Sequence, residues 1–347
     1  MLSGRTYSQS CFTLERDGVV LSEGELAESL NQYYATVAAD IPPLGKSCLP
    51  SFLPSAEEVL IVHSHVVCKK LLHVKTNKAM GPDSILPRII KELAYELTEP
   101  VTKIFNTSLS TGQVPILWKC SNIIPIPKVK QPLCESDTRR ISLTTILSKV
   151  LEDFVVSWMI EDVGEHIDSR QFGSLKGSST TYCLLDLIHN WLSELDNPGC
   201  YLRACLLDLS KAFDRIDHTI VIRKLIDLGV CRCDLQFPNR SVVMCQTRAG
   251  SLQLAPSTCW CPSRDQTGSY TFVIMINDLK LASPLCSYWK YVDDITISEF
   301  AAERGVSILQ SELNNVSTQA ATNNMVLNPK KCKEMTLRFR RVVDHLP

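Results

Sequence analysis

A surplus of positive charge is missing from this 347-residue chain, where 36 Lys and Arg face 37 Asp and Glu for a formal net charge of -1 and a pI near 6.7. Proteins that coat nucleic acid use excess cations to neutralise phosphates, so a broadly basic coat is excluded and any nucleic-acid path must be local. An apolar run approaching the ~18 residues of a membrane-spanning helix is also missing, and residues 1–10 carry no secretory leader. Internal repeats and low-complexity tracts are lacking, which sets solenoids aside. The 15 cysteines supply no zinc hooks, because neither Cys231-Arg-Cys233 nor Cys259-Trp-Cys261 has the C-x-x-C spacing and partners of a metal site. Scattered cysteines without a leader predict reduced thiols in an intracellular, non-membrane protein, in nucleus or cytoplasm, and not a disulfide scaffold.

What is present is an ordinary globular composition, 45% hydrophobic and 21% charged, sufficient to bury a substantial core and form two or more subdomains. Cations do cluster locally. One group is Lys119, Lys128, Lys130, Arg139 and Arg140, diluted by Glu135 and Asp137, and another is Lys330, Lys331, Lys333, Arg338, Arg340 and Arg341, opposed by Glu334. Taken alone, each reads as a solvated face.

Residues 23–39 read as one amphipathic helix, and residues 41–54, with Pro42, Pro43, Gly45, Pro50 and Pro54, as a linker. Helical spacing over residues 87–112 involves Ile89, Ile90, Leu93, Leu97, Val101, Ile104, Phe105 and Leu109, with Pro100 a break or kink. The same period over 143–163, 180–195 and 212–228, the last ending at Gly229, predicts further core-facing helices. Residues 201–209 and 288–298 read as strands, so the whole predicts an α+β fold with a small sheet.

Both strands carry carboxylates in apolar surroundings. Asp208 follows Cys205-Leu206-Leu207, and Asp293-Asp294 lies between Tyr291-Val292 and Ile295-Thr296-Ile297. A charge so placed is costly unless a cation, protons or water offset it, and adjacent like charges repel. Carboxylate and water ligands suit Mg2+, and two such ions about 3.5–4 Å apart serve phosphoryl chemistry. An isolated Asp-Asp pair is most often an ordinary hairpin turn.

Leu206-Leu207-Asp208-Leu209-Ser210-Lys211-Ala212-Phe213-Asp214 resembles the first catalytic motif of the reverse transcriptases of non-LTR (LINE-type, Jockey-like) retrotransposons, and Tyr291-Val292-Asp293-Asp294 resembles their Y-x-D-D box. Gly81-Pro82-Asp83, Val114-Pro115 with Trp118-Lys119, Ile124-Pro125-Ile126-Pro127-Lys128, Arg139 with Ile141-Ser142-Leu143, Gln171-Phe172-Gly173, Ile276-Asn277-Asp278-Leu279 and Leu327-Asn328-Pro329-Lys330-Lys331 are similar to successive blocks of that family, covering most of residues 15–340.

The resemblance implies a right-hand polymerase fold: a segment over 1–60, then a reverse transcriptase domain over 61–347 with fingers about 75–200, and a palm about 201–347 built on a small antiparallel sheet. With the chain stopping soon after Arg341, the thumb is expected to be partial or absent. The implied activity is RNA-directed DNA polymerisation with two Mg2+ ions, an RNA template, a DNA primer and deoxynucleoside triphosphates. Asp208 and Asp293, with Asp294 beside them, would be catalytic and hold metal. Phe213 would crowd the sugar 2′ carbon, Lys128 and Arg139 would meet the triphosphate, and Lys331 or Lys330 would protonate pyrophosphate. Gln171-Phe172-Gly173 would contact template or shape the fingers, with Gly173 and Gly177 equally explained as turns.

The resemblance breaks where the family carries Gly-x-Pro-Gln-Gly-x-x-x-Gly-Pro. Here stands Trp260-Cys261-Pro262-Ser263-Arg264-Asp265-Gln266-Thr267-Gly268-Ser269. Codons for these residues can be written so that reading one nucleotide later restores Gly-Val-Pro-Gln-Gly-Thr-Lys-Leu-Gly-Pro, which suggests paired frameshifts within residues 259–271. Arg140 stands where the family has Pro, and the text after Asn239-Arg240-Ser241 departs too. The alternative expectation is therefore a catalytically inactive, fragmentary remnant with at most nucleic-acid binding.

Overall fold

The computed structural model describes residues 12–16, 19–37, 39–41, 60–196, 200–229, 242–245, 253–256, 266–302 and 306–338. The Cys231/Cys233 and Cys259/Cys261 pairs, residues 257–265 of the divergent block, most of the 41–54 stretch and the basic tail beyond Arg338 lie outside the described residues.

In chain order the elements are β1 (Glu15–Arg16), β2 (Val19–Val20), α1 (Glu23–Thr36), α2 (Ser64–Leu72), α3 (Pro87–Glu92), α4 (Ala94–Thr111), β3 (Cys120–Pro127), β4 (Thr138–Leu143), α5 (Ile146–Val163), α6 (Thr180–Leu195), β5 (Cys200–Asp208), α7 (His218–Asp227), β6 (Val242–Cys245), β7 (Gln253–Pro256), α8 (Gln266–Met275), β8 (Cys286–Tyr291), β9 (Asp294–Ala302), α9 (Leu309–Thr322) and β10 (Lys333–Leu337). They divide between two compact units, one of residues 1–40, 61–150 and 239–263, the other of residues 41–60, 151–238 and 264–347.

The first unit contains the sheet β4-β3-β6-β7, antiparallel except for the parallel β3–β6 pair. Ser22 and Glu25 form a reciprocal capping box that starts α1, and Leu30 and Tyr34 of α1 pack on Ile123. Helix α4 carries Pro100 inside it, while the irregularity falls at Leu93, the shared cap of α3 and α4. Hydrogen bonds run through that point, Leu93 N–H to Ile89 O at 2.9 Å and Leu97 N–H to Leu93 O at 2.9 Å, so Pro100 removes one ladder donor without ending the helix. Gly81 is required by close approach, since a Cβ there would stand 2.6 Å from Thr145 N.

The second unit contains the antiparallel sheet β10-β5-β9-β8. Phe272, Val273, Ile274 and Met275 of α8 are fully buried, and α7 packs on α8. Asp217 caps α7, accepting from Thr219 N–H at 2.8 Å and Ile220 N–H at 3.2 Å, and Gly229 follows it at φ 80°. Helix α6 buries Cys183 and Leu187 against Trp289. The expectation that each helix faces a core holds for one stripe only, because Leu184, Leu185, Ile188 and Leu192 of α6 are exposed, as are Ile89, Leu93 and Ile104. Among the described residues no helix is long and apolar enough to cross a membrane.

Candidate active site

The apolar run that reads as a strand does become one, and β5 ends on Asp208. Its partner β9 begins on Asp294, and the two are directly opposed in the antiparallel register. Tyr291 of β8 opposes the same Asp294, so Val292 and Asp293 form a two-residue hairpin turn. Residues 288–298 are thus two strands and a turn, not one strand. Val292 sits at φ 58°, a left-handed conformation that costs a β-branched residue roughly 1–3 kcal/mol and is retained where surrounding structure enforces it.

These carboxylates crowd one end of the sheet. Burial, and then the negative charges of Asp293 and Asp208, push the Asp294 carboxyl above its ordinary value, with Lys331 opposing them. Lys331 Nζ lies 3.1 Å from Asp208 Oδ1, while Asp208 Oδ2 is buried with no hydrogen-bond partner. The Leu327-Asn328-Pro329-Lys330-Lys331 block supplies this lysine by docking on the end of β5: Asn328 N–H donates to Asp208 O at 2.8 Å, and Ser210 N–H to Val326 O at 2.7 Å. Of the two adjacent lysines, Lys331 is the one that reaches Asp208. The tail is also less freely solvated than its composition implies, since the Arg338 guanidinium lies 4.8 Å from the Tyr201 ring centre.

Hard anionic oxygens, one of them buried and unsatisfied, fit a hard divalent cation in donor type. Among the described residues no three His, Cys, Asp or Glu side chains converge as a preformed metal cage.

The Gln171-Phe172-Gly173 segment lies against the Asp293 turn. Phe172 N–H donates to Lys290 O at 2.8 Å and Lys290 N–H to Arg170 O at 2.9 Å, which adds a short parallel bridge to β8 at Gln171. Gly173 serves this approach, since a Cβ would stand 2.5 Å from Val292 N. Gly177, at φ 83°, is a turn glycine.

Behind the turn lies a charge pair with no signal in the sequence. Lys290 is 0% exposed, with Nζ 2.7 Å from Asp168 Oδ2 and within 3.0 Å of Ile276 O and 3.1 Å of Leu279 O. Asp168 also accepts from Tyr288 Oη at 2.9 Å and Arg170 N–H at 3.0 Å. Burial lowers the Lys290 ammonium below its ordinary value despite the carboxylate beside it. Burial acts upward on Asp168, but the Lys290 hydrogen bond, the Arg170 amide, the Lys290 charge and the Tyr288 hydroxyl together hold it below its ordinary value. The Ile276-Asn277-Asp278-Leu279 block is thereby explained: its carbonyls and the Asn277 amide, which accepts from Asp168 N–H at 2.8 Å, enclose this pair.

Phe213 follows β5 in a short 3-10 turn, Ala212–Arg215, with its ring centre 5.2 Å from that of Phe272. Lys128 and Arg139 belong to the first unit. Arg139 opposes Ile126 in the β3–β4 ladder and is exposed, and Lys128 Nζ donates to Ser136 O at 2.8 Å.

The chain belongs to the reverse transcriptase (RNA-dependent DNA polymerase) family, whose match runs over residues 126–342. Its relatives are proteins of non-LTR mobile elements. It is 25% identical over 302 residues to the putative 115 kDa protein of the type-1 retrotransposable element R1DM of Drosophila melanogaster, a match covering 85% of this chain and 28% of that protein. It is also 25% identical over 280 residues, 76% of this chain and 30% of the relative, to the RNA-directed DNA polymerase from mobile element jockey of Drosophila melanogaster. The jockey polymerase of Drosophila funebris is 32% identical over 154 residues, 44% of this chain and 17% of the relative. The chain thus spans under a third of these relatives' length.

Proposed function

We propose that this chain is an RNA-directed DNA polymerase segment of a LINE-type retroelement, with Asp208, Asp293 and Asp294 as its reacting centre. The observation that carries this is the β5–β9 register, which opposes Asp208 to Asp294 beside the Asp293 turn and leaves a buried carboxylate oxygen unsatisfied. The antiparallel sheet of the second unit would be the palm, within the 61–347 polymerase domain, and the fingers would come from residues about 75–200. The substrates would be an RNA template, a DNA primer and deoxynucleoside triphosphates, and the setting intracellular.

Asp208 and Asp293, with Asp294, would hold two Mg2+ ions. Bound there, such ions make a primer hydroxyl more nucleophilic and offset charge on the leaving oxygen. The chain's own groups do the rest. Phe213 restricts the nucleotide at its 2′ carbon. Lys128 and Arg139 neutralise phosphate oxygens, and Lys331 presents a proton donor to departing pyrophosphate.

A second reading, an inactive remnant that retains nucleic-acid binding at most, is favoured by the divergent block of residues 260–269. Of that block, Gln266 to Ser269 lie in α8. Primer extension on an RNA template with Mg2+ separates the two. Asp293→Asn is expected to lower extension by at least about a hundredfold. Extension that appears only after the frame-restored block is substituted makes the present chain the remnant, and extension unaffected by Asp293→Asn rejects the assigned centre.

A further inference from the structure

Taking Asp208 and Asp293 as the reacting centre, we propose that Gln171 is a positioning residue: its side-chain oxygen holds the turn that presents Asp293. That oxygen accepts from Gly173 N–H at 2.9 Å and from Val292 N–H at 3.1 Å. One acceptor therefore joins the two backbones at the point where a Cβ on Gly173 would stand 2.5 Å from Val292 N.

Three observations point the same way. Val292 is β-branched and sits at φ 58°, a conformation that needs enforcement from outside the turn. Gln171 is 4% exposed, and its Nε2 is buried with no hydrogen-bond partner. An apolar side chain would avoid that unmet donor, so the amide is explained by what its oxygen does. The amide is also neutral, and it constrains the turn without adding charge to three carboxylates that already repel one another. The backbone around Gln171 is itself fixed along β8 by the Phe172 and Lys290 amides, so the acceptor is held from the edge of β8 opposite β9.

The test uses the full chain, isotopically labelled, with two readouts: amide hydrogen exchange at Val292, and Mn2+ titration as the probe of the carboxylates. Gln171→Met, which keeps the length and removes the acceptor, is expected to speed Val292 exchange by at least about tenfold while exchange in α7 stays as it was. It is expected to weaken Mn2+ binding by on the order of tenfold, as loss of an outer support for metal ligands does. Gln171→Glu keeps an acceptor oxygen and is expected to retain Val292 protection. If Gln171→Met does not fold, Gln171→Asn, which withdraws the oxygen by one methylene, makes the same comparison. Unchanged Val292 protection overturns the proposal, as does faster exchange with unchanged Mn2+ affinity. Mn2+ binding that is indifferent to Asp293→Asn removes the assigned centre instead, and Val292 exchange still reports whether Gln171 holds the turn.

Discussion

Replacing Lys290 by Met is expected to destabilise the second unit severely. The ammonium is 0% exposed and meets one carboxylate at 2.7 Å and two carbonyls within 3.1 Å. Met fills the same volume but leaves Asp168 with only Tyr288 Oη and the Arg170 amide as donors. Breaking a buried pair from one side costs about 3–5 kcal/mol, because the remaining charge stays desolvated. With a urea slope of about 3 kcal/mol per molar, the unfolding midpoint followed by tryptophan fluorescence falls by about 1–1.7 M. Asp168→Asn is expected to cost a similar amount by stranding the ammonium, and the double variant less than the sum of the two. The folded-state value of Asp168 is depressed, so its contribution is present above the ordinary carboxylate value of about 3.9 and is lost as pH falls through the folded value. Wild-type protein therefore loses this stabilisation below about pH 4, and Asp168→Asn shows a flatter acid limb. A Lys290→Met cost under about 1 kcal/mol would mean that the ammonium reaches water, and the argument from burial would fail.

Three further outcomes follow from other sites. Asp294 is held above its ordinary value by burial and its acidic neighbours, so its charge burdens the metal-free fold at neutral pH and is relieved by acidification through the raised value. Asp294→Asn is expected to raise the metal-free Tm slightly, for a gain no larger than about 1 kcal/mol because the desolvation is only partial and the residue still meets water; a lower Tm in differential scanning calorimetry would contradict this. Asp217→Ala removes the α7 cap and the acceptor for Asn324 Nδ2 at 2.7 Å, and a loss of about 1–2 kcal/mol is expected by urea denaturation. Gly81→Ala drives a methyl toward Thr145 N, with an expected cost of about 1–3 kcal/mol confined to the first unit and visible as faster amide exchange there.

Much of the candidate site was legible because its determinants are local. An apolar run ending on Asp208 and a cluster of β-formers around Asp293-Asp294 each mark a strand within a few residues, and the Asp-Asp pair is itself a turn signal, which the structure realises between β8 and β9. The β3–β4 ladder was hidden by Pro125 and Pro127, which argue against a strand. They are tolerated because β6 pairs only with Cys120 to Ile123, so the proline half of β3 has β4 alone as a partner. Pro100 reads in the sequence as a break or kink of the 87–112 helix, whereas the division falls at Leu93 and the exposed flank at Pro100 accommodates one missing donor. Lys290, Asp168 and the Gln171 oxygen were illegible as a group. Asp168 and Lys290 are 122 positions apart in sequence, and no periodicity connects residues that meet only through tertiary structure.

The order of strands in the second sheet has a consequence for synthesis on the ribosome. Strand β5, Cys200–Asp208, is flanked by β9 and β10, and both are translated long after it, from Asp294 and Lys333 onward. A nearly all-apolar segment with both hydrogen-bonding edges open must wait through that interval. The first unit has the same difficulty, because its β3 edge waits for β6 at Val242. Asp208 thus ends a strand that stays without its sheet partners until residues 294–337 have been made, a delay set by the order of strands and not by the chemistry of the site.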